Sequence, residues 1–195
     1  MRVSREGRIR IGYVAGEFRN HAVAWLLTGM FERHDRSRFE VFAFDNADGD
    51  DSPLRHRIEA ALEIVPIRGL GLGAALEAVR SRHIDILVNL NGYSGAARHD
   101  LFAARAAPLQ VNYLGYPGTT GMPYIEYLIA DPVVIPPADR CHYSEQVVYL
   151  PDAYQPNDST RRPAEGVTRA DAGLPDDAFV FCCMNNVYKI TPALF

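Results

Sequence analysis

The feature that most constrains this chain is a rhythm of apolar runs separated by amphipathic segments. Candidate strands fall at Ile9–Val14, Phe39–Phe44, Glu63–Ile67, Ile84–Leu90, Leu109–Leu114, Tyr127–Ala130, Gln146–Leu150 and Ala178–Met184. Several are apolar nearly throughout, as in Ile84-Asp-Ile-Leu-Val-Asn-Leu. Strands buried on both faces of a parallel sheet carry this pattern, whereas a half-solvated strand alternates. Helical patterns lie between them at Ala22–Arg33, Leu54–Leu62, Gly73–Arg82 and Asp100–Ala106. Val23, Leu26, Leu27 and Met30 make one apolar stripe suited to packing on a sheet. Strand alternating with helix predicts an α/β domain built around a parallel, Rossmann-like sheet.

Composition narrows the function classes. With 20 Lys+Arg against 24 Asp+Glu among 195 residues, the net charge is -4. That balance leaves no broad basic footprint for nucleic acid. The N-terminus is charged and lacks the apolar stretch of a signal peptide, and no run approaches a membrane span. We therefore expect a cytoplasmic protein without nucleic-acid or membrane partners. Cys141, Cys182 and Cys183 show no metal-ligand spacing and are expected to be reduced, buried thiols, so no metal is assigned.

The chain changes character after Leu150. Residues 151–177 are rich in Pro, Asp, Ser and Thr without periodicity, and read as a linker. Ala178–Met184 then reads as a fresh buried strand, Asn185–Lys189 as its loop and Thr191-Pro192 as the start of a helix. The domain expectation is a catalytic lobe over 8–150, a linker over 151–177 and the truncated start of a second lobe over 178–195.

Ligands of open α/β sheets bind beyond the carboxyl ends of the strands. That rule selects the loop Gly16-Glu-Phe-Arg-Asn-His21. His21 would sit at the positive end of a helix dipole, which favours the neutral ring and suits a hydrogen-bond donor or general base. Alternatively, Asn20 caps the helix and His21 merely fills its first turn. Leu114-Gly-Tyr-Pro-Gly-Thr-Thr-Gly121 packs three glycines and two hydroxyls directly after a strand, either to approach a ligand closely or as a tight turn. Asn89, Asn91, Tyr93 and Ser94 form an uncharged polar cluster that suits a sugar or peptide, although solvated turns use the same letters. Gly69-Leu-Gly-Leu-Gly73 has the wrong spacing for a dinucleotide fingerprint. His34, His56, His83, His99 and His142 show no partner pattern and default to the surface.

Together these loops carry a more specific resemblance. The stretches from Ile9 to His21, Ile86 to Tyr93, Ala107 to Thr119, Tyr149 to Asp158 and Phe181 to Ile190 occur in an order that resembles the catalytic region of bacterial-type O-linked N-acetylglucosamine transferases. The resemblance implies a GT-B glycosyltransferase that binds a UDP-sugar between two Rossmann-like lobes. It implies inverting transfer of N-acetylglucosamine from UDP-GlcNAc to Ser or Thr of a protein acceptor, without a metal or other cofactor. His21 matches the family's disputed catalytic base or reacting-group contact, and Lys189 the lysine that holds the diphosphate. Asn186 stands where many relatives carry glutamine near the nucleotide. Pro117, Gly118 and Thr119 match the loop lining the sugar pocket, with Tyr116, Asn91 and Tyr93 as further substrate-binding candidates. Most of the C-terminal lobe and the upstream helical repeats of the family are expected to be missing, leaving this stretch inactive alone. The alternatives are a non-catalytic remnant or peptide-binding module, and a UDP-sugar 2-epimerase of the same architecture.

Overall fold

The computed structural model describes residues 7–184 and 187–192, with Lys189 by its backbone alone. Two compact units divide the chain, the first through Thr160 and the second from Arg161. In the first, seven of the expected apolar runs become strands: β1 Ile9–Ala15, β2 Phe39–Asp45, β3 Glu63–Pro66, β4 Ile86–Asn89, β5 Leu109–Tyr113, β6 Tyr127–Ala130 and β7 Gln146–Tyr149. They form one sheet in the order β3-β2-β1-β4-β5-β6-β7, and every pairing is parallel. The order reverses between β1 and β4, so the loops after β1, β4 and β5 leave neighbouring strands at the same edge.

Among the described residues, four α-helices cover the sheet: α1 Ala22–Glu32, α2 Pro53–Ala61, α3 Leu72–Arg80 and α4 His99–Ala103. Ser52 caps α2 by accepting from the Arg55 amide, with Pro53 at the first helical position where no amide is missed. Leu27 and Phe31 of α1 and Ile58 of α2 pack with Tyr13, Ala43 and Val88 on one face. Ala75 and Val79 of α3 and Leu101 and Phe102 of α4 pack with Val14, Phe44 and Leu87 on the other. Strand residues therefore face apolar partners whichever way they point, which is why β1 and β2 carry no alternation. The Gly69–Gly73 stretch is the turn into α3, with Gly71 at its N-cap.

The first unit extends beyond Leu150 because a short tail is tied back to it. The Tyr154 amide donates to Asp131 at 2.8 Å, and the Tyr113 hydroxyl donates to the Tyr154 carbonyl at 2.7 Å. Asp158, 3% exposed, accepts from Arg57 at 2.7 Å. Hydrogen bonds, rather than apolar periodicity, hold this segment, so the hydropathy pattern left it looking like a linker.

In the second unit the strand expected at Ala178–Met184 does not form. The stretch is irregular, and Phe179, Phe181 and Met184 are 82%, 90% and 93% exposed. A strand needs a neighbour for its amides and carbonyls, and none of the described strands pairs with this run. The three cysteines are also exposed rather than buried. Val187–Lys189 forms a single 3-10 turn; the rest of the helix expected after Thr191-Pro192 lies outside the described residues.

Candidate functional site

The loop after β1 is fixed from both sides before it reaches His21. Glu17, only 8% exposed, accepts from the Gly16 amide at 2.9 Å and from Asn91 Nδ2 at 2.7 Å. This bond joins the loops after β1 and β4 across the point where strand order reverses. The loops approach so closely that a Cβ on Gly16 would lie 2.7 Å from Ala96 Cβ, and one on Gly95 would lie 2.2 Å from Glu17 Oε1. On the other side, Arg55 donates to the Phe18 carbonyl at 2.7 Å and to Asp45 at the end of β2 at 2.5 Å. An acidic residue at the end of the second strand is the ribose ligand of dinucleotide-binding folds. Here Asp45 is occupied by a buried arginine, which agrees with the glycine spacing in excluding that chemistry.

His21 is itself the N-cap of α1, so the expectation that Asn20 would cap is corrected. Its backbone is extended, and Nδ1 accepts from the Val23 amide at 3.3 Å. Asn20 instead accepts from the Trp25 indole at 2.9 Å. Nδ1 acting as acceptor assigns the proton of the neutral ring to Nε2. The half-buried ring then presents an N–H donor. A lone pair on Nε2 would require the proton to move to Nδ1, at the cost of the cap.

The loops after β4 and β5 meet around aromatic rings. Tyr116 stacks edge-on with Tyr93 at 6.1 Å, and Tyr93 edge-on with His99 at 5.2 Å. Both tyrosines are exposed, at 57% for Tyr93 and 43% for Tyr116. Tyr116 explains two glycines: a Cβ on Gly92 would lie 2.5 Å from Tyr116 Cβ, and one on Gly118 2.6 Å from its ring. Gly92 also has φ +56°, and Leu114 holds the left-handed region at φ 69° without being glycine. A Cβ on Gly115 would lie 2.0 Å from the Leu90 carbonyl oxygen, so the turn runs directly over the end of β4. Left-handed backbone at Leu114 and two exposed aromatic rings thus coincide at this edge.

Beneath the rings, buried amides converge. Asn89 and Asn112 are register partners on β4 and β5. Asn89 accepts from the Asn91 amide at 3.1 Å, and Asn112 donates to the Tyr116 carbonyl at 3.0 Å. Asn89 Nδ2, Asn91 Oδ1 and Asn112 Oδ1 have no hydrogen-bond partner among the described residues.

The loop after β5 is not the set of free amides its glycines suggest. Thr120, 3% exposed, donates its amide to Glu145 at 2.7 Å and its hydroxyl to the same carboxylate, while its carbonyl accepts from the Tyr93 hydroxyl. Thr119 donates its hydroxyl to Glu145 at 2.7 Å and accepts from the Gly121 amide at 3.1 Å and the Ser144 amide at 3.2 Å. Its side chain is thus spent on shaping the loop. Burial pushes the Glu145 carboxyl up, but the donors from Thr120 and Thr119 outweigh it and hold the group below its ordinary value.

Of the sequence candidates, the structure places Asn91, Tyr93, Tyr116, Pro117, Gly118 and Thr119 in this one cluster at the carboxyl edge. His21 lies at the same edge, after β1. Lys189 lies on the 3-10 turn of the second unit, and Asn186 lies outside the described residues. Three histidines set aside as surface have partners: His56 meets the exposed Asp51 carboxylate at 3.0 Å, and the other two bond within the fold. His99 bonds the Gly92 carbonyl at 2.5 Å, and His34 bonds the Tyr13 hydroxyl at 3.0 Å, with burial lowering its pKa. Glu17 and Glu145 were missed. Nothing local distinguishes them from solvated carboxylates, because the donors that mark them out, Asn91 and Thr120, lie 74 and 25 residues away.

The profile of the family described as "Glycosyl transferase family 41" matches residues 1–163. The probable UDP-N-acetylglucosamine–peptide N-acetylglucosaminyltransferase SEC of Arabidopsis thaliana is 39% identical over 98% of this chain and 21% of its own length. The UDP-N-acetylglucosamine–peptide N-acetylglucosaminyltransferase of Caenorhabditis elegans is 37% identical over 75% of this chain and 13% of its own. A solved mutant of Thermobaculum terrenum O-GlcNAc transferase superposes with a TM-score of 0.74 at 37% identity, covering 82% of this chain and 30% of that one. The chain thus spans about a fifth or less of these two curated relatives.

Proposed function

The chain belongs to glycosyltransferase family 41, and from that premise we propose that it supplies the first Rossmann-like lobe of a GT-B enzyme. This enzyme moves N-acetylglucosamine from UDP-GlcNAc to a Ser or Thr hydroxyl of a protein acceptor. The observation that carries the reading is the aromatic and glycine-rich cluster of Tyr93, Tyr116, Gly118 and Thr120 at the carboxyl edge, on the same edge as His21. An exposed aromatic platform over tightly turned backbone suits an uncharged sugar ring. The cluster favours a sugar site over the peptide-module reading, and the matched relatives, named as peptide glycosyltransferases, favour a transferase over the 2-epimerase.

In the reaction, the acceptor oxygen bonds to the anomeric carbon as the bond to the UDP phosphate breaks, with inversion, and the acceptor proton passes to water. His21 serves the reacting groups as an Nε2–H donor, the tautomer its cap bond selects. Negative charge grows on the departing diphosphate. We assign its stabilisation to Lys189, with Asn186 beside the nucleotide, so the reading calls for no metal or other cofactor. Upstream helical repeats that recruit the protein acceptor belong to the same proposal, as does a cytoplasmic location. No helix among the described residues is long and apolar enough to cross a membrane.

The test is transfer from UDP-GlcNAc to an acceptor peptide by the complete polypeptide carrying this segment. His21→Ala should lower turnover about 10²–10³-fold, the cost of one donor to developing charge, with donor affinity little changed. His21→Asn sharpens the test, since asparagine caps well yet offers no Nε2. Equally low turnover in both variants supports the donor role. Restored turnover in His21→Asn would reduce His21 to a helix cap. Lys189→Met should weaken UDP binding and slow transfer together, and equal affinity with equal rate would remove Lys189 from the site.

A further inference from the structure

We infer that Glu145 is a positioning residue of this reaction, holding the 116–120 loop in the shape that receives the sugar half of the donor. The inference rests on the transferase reading above and goes beyond it to a residue with no part in that chemistry.

Glu145 stands immediately before β7, whose first residue is anchored by the Gln146 amide on the Glu126 carbonyl at 2.9 Å. Its side chain is 4% exposed and belongs to no salt bridge among the described residues. A buried carboxylate is costly unless its lone pairs are filled. Here the filling comes from one short stretch: the Thr119 hydroxyl on Oε2, and the Thr120 amide and hydroxyl on Oε1. The Ser144 hydroxyl, at 3.1 Å, completes Oε2. Charge-assisted bonds to neutral donors are the strong kind, and three of them converge on two consecutive residues.

The grip is directional. Thr120 is held by its amide and hydroxyl on the Glu145 side and by its carbonyl on Tyr93. The residues before it, Tyr116, Pro117 and Gly118, are left at the surface or half-buried. Tyr116 is fixed against both Gly92 and Gly118. The carboxylate therefore determines where the exposed ring and the Gly118 backbone stand, without itself reaching a ligand. Thr119 cannot replace it, because the Gly121 and Ser144 amides already occupy its oxygen.

A glutamine at this position keeps size but has one acceptor oxygen in place of two. Its NH2 would face a Thr119 oxygen that already accepts twice. The experiment uses the complete polypeptide and measures UDP and UDP-GlcNAc affinities separately, beside KM and kcat. Glu145→Gln should weaken UDP-GlcNAc binding and raise donor KM about tenfold, the worth of one charge-assisted bond, while UDP affinity stays at the wild-type value. Thr119→Val should reproduce part of the loss. The double variant should lose less than the sum of the two single losses, since both remove the Thr119–Glu145 bond, while Thr119→Val also gives up the acceptor for the Gly121 and Ser144 amides. Unchanged UDP-GlcNAc binding in Glu145→Gln overturns the inference. Equal loss of UDP and UDP-GlcNAc binding also overturns it, because the residue would then serve general stability. Wild-type protein that binds UDP but not UDP-GlcNAc overturns the transferase reading itself, and this inference with it.

Discussion

Two apolar runs of similar length meet opposite fates in this molecule. Ile84–Leu90 enters the middle of the sheet as β4, with Leu87 fully buried and β1 and β5 on either side. Ala178–Met184 is as apolar, yet it stays irregular with Phe181 at 90% exposure. The difference lies in the neighbours. A run becomes a strand when adjacent backbones take its amides and carbonyls and helices cover its faces. β4 receives both from this chain, whereas the tail run receives neither within its own unit. Hydropathy records the capacity to be a strand, and topology decides whether that capacity is used.

The sharpest way to break this comparison is to cut the same kind of side chain from each run. Leu87→Ala should cost about 2–5 kcal/mol, since it opens a cavity between β4 and α4. Phe181→Ala, which removes a larger side chain, should change stability by less than about 0.5 kcal/mol. Urea unfolding of the two variants measures both, and comparable losses would mean the tail run is packed after all. Next in size is Gly92→Ala, which combines a left-handed backbone with a Cβ 2.5 Å from Tyr116. It should cost about 1–3 kcal/mol. Because it displaces the exposed ring, it should also weaken UDP-sugar binding in the complete polypeptide.

This contrast also explains what could be read in advance. The β1, β2 and β4 runs were legible because each is apolar enough to need cover on both faces, and the helices between them show the matching stripes. The tail over 151–160 was not, because its anchors are single polar bonds: the Tyr154 amide on Asp131, and Asp158 on Arg57. At the site, Tyr116 and Gly118 announced themselves as a dense turn directly after a strand, whereas Gly92 drew no notice in the loop after β4. Glu145 did not announce itself either, since a carboxylate's role depends on which donors surround it. His21 was legible in place but not in state: only the bond from the Val23 amide selects Nδ1 as acceptor.

Asp158 tests the polar side of the comparison. The Arg57 guanidinium, with the Thr160 amide and hydroxyl, outweighs burial and holds its pKa at about 2. A depressed pKa stabilises the fold above the unfolded value and loses that contribution as pH falls through the folded one. The contribution should therefore be complete above about pH 4 and fade toward pH 2. Asp158→Asn should cost about 1–2 kcal/mol at neutral pH. It should also flatten the acid-side fall in melting temperature. Identical acid slopes in both proteins would show that the tail is held by something other than this pair.

The smallest expected effect is the one that most directly probes the exposed run. Phe179 and Phe181 meet edge to face, with ring centroids 4.8 Å apart. At 82% and 90% exposure, most of their area still faces water. A contact between two exposed rings offsets little of that, about 0.5–1.5 kcal/mol at best in a packed setting and less where both remain solvated. The paired substitution Phe179→Ser with Phe181→Ser should therefore leave the unfolding midpoint of the 195-residue chain within about 0.5 kcal/mol of the parent. Its solubility should rise, because exposed aromatics on an unpaired extended segment invite association. The same double substitution gives a different reading if the polypeptide is extended by a lobe that pairs the run as a strand. Each phenylalanine would then be a core residue, and the loss should approach about 3–5 kcal/mol per ring. A negligible cost in both settings would refute the idea that this run is a strand awaiting neighbours. A large cost in the 195-residue chain alone would refute the contrast with β4.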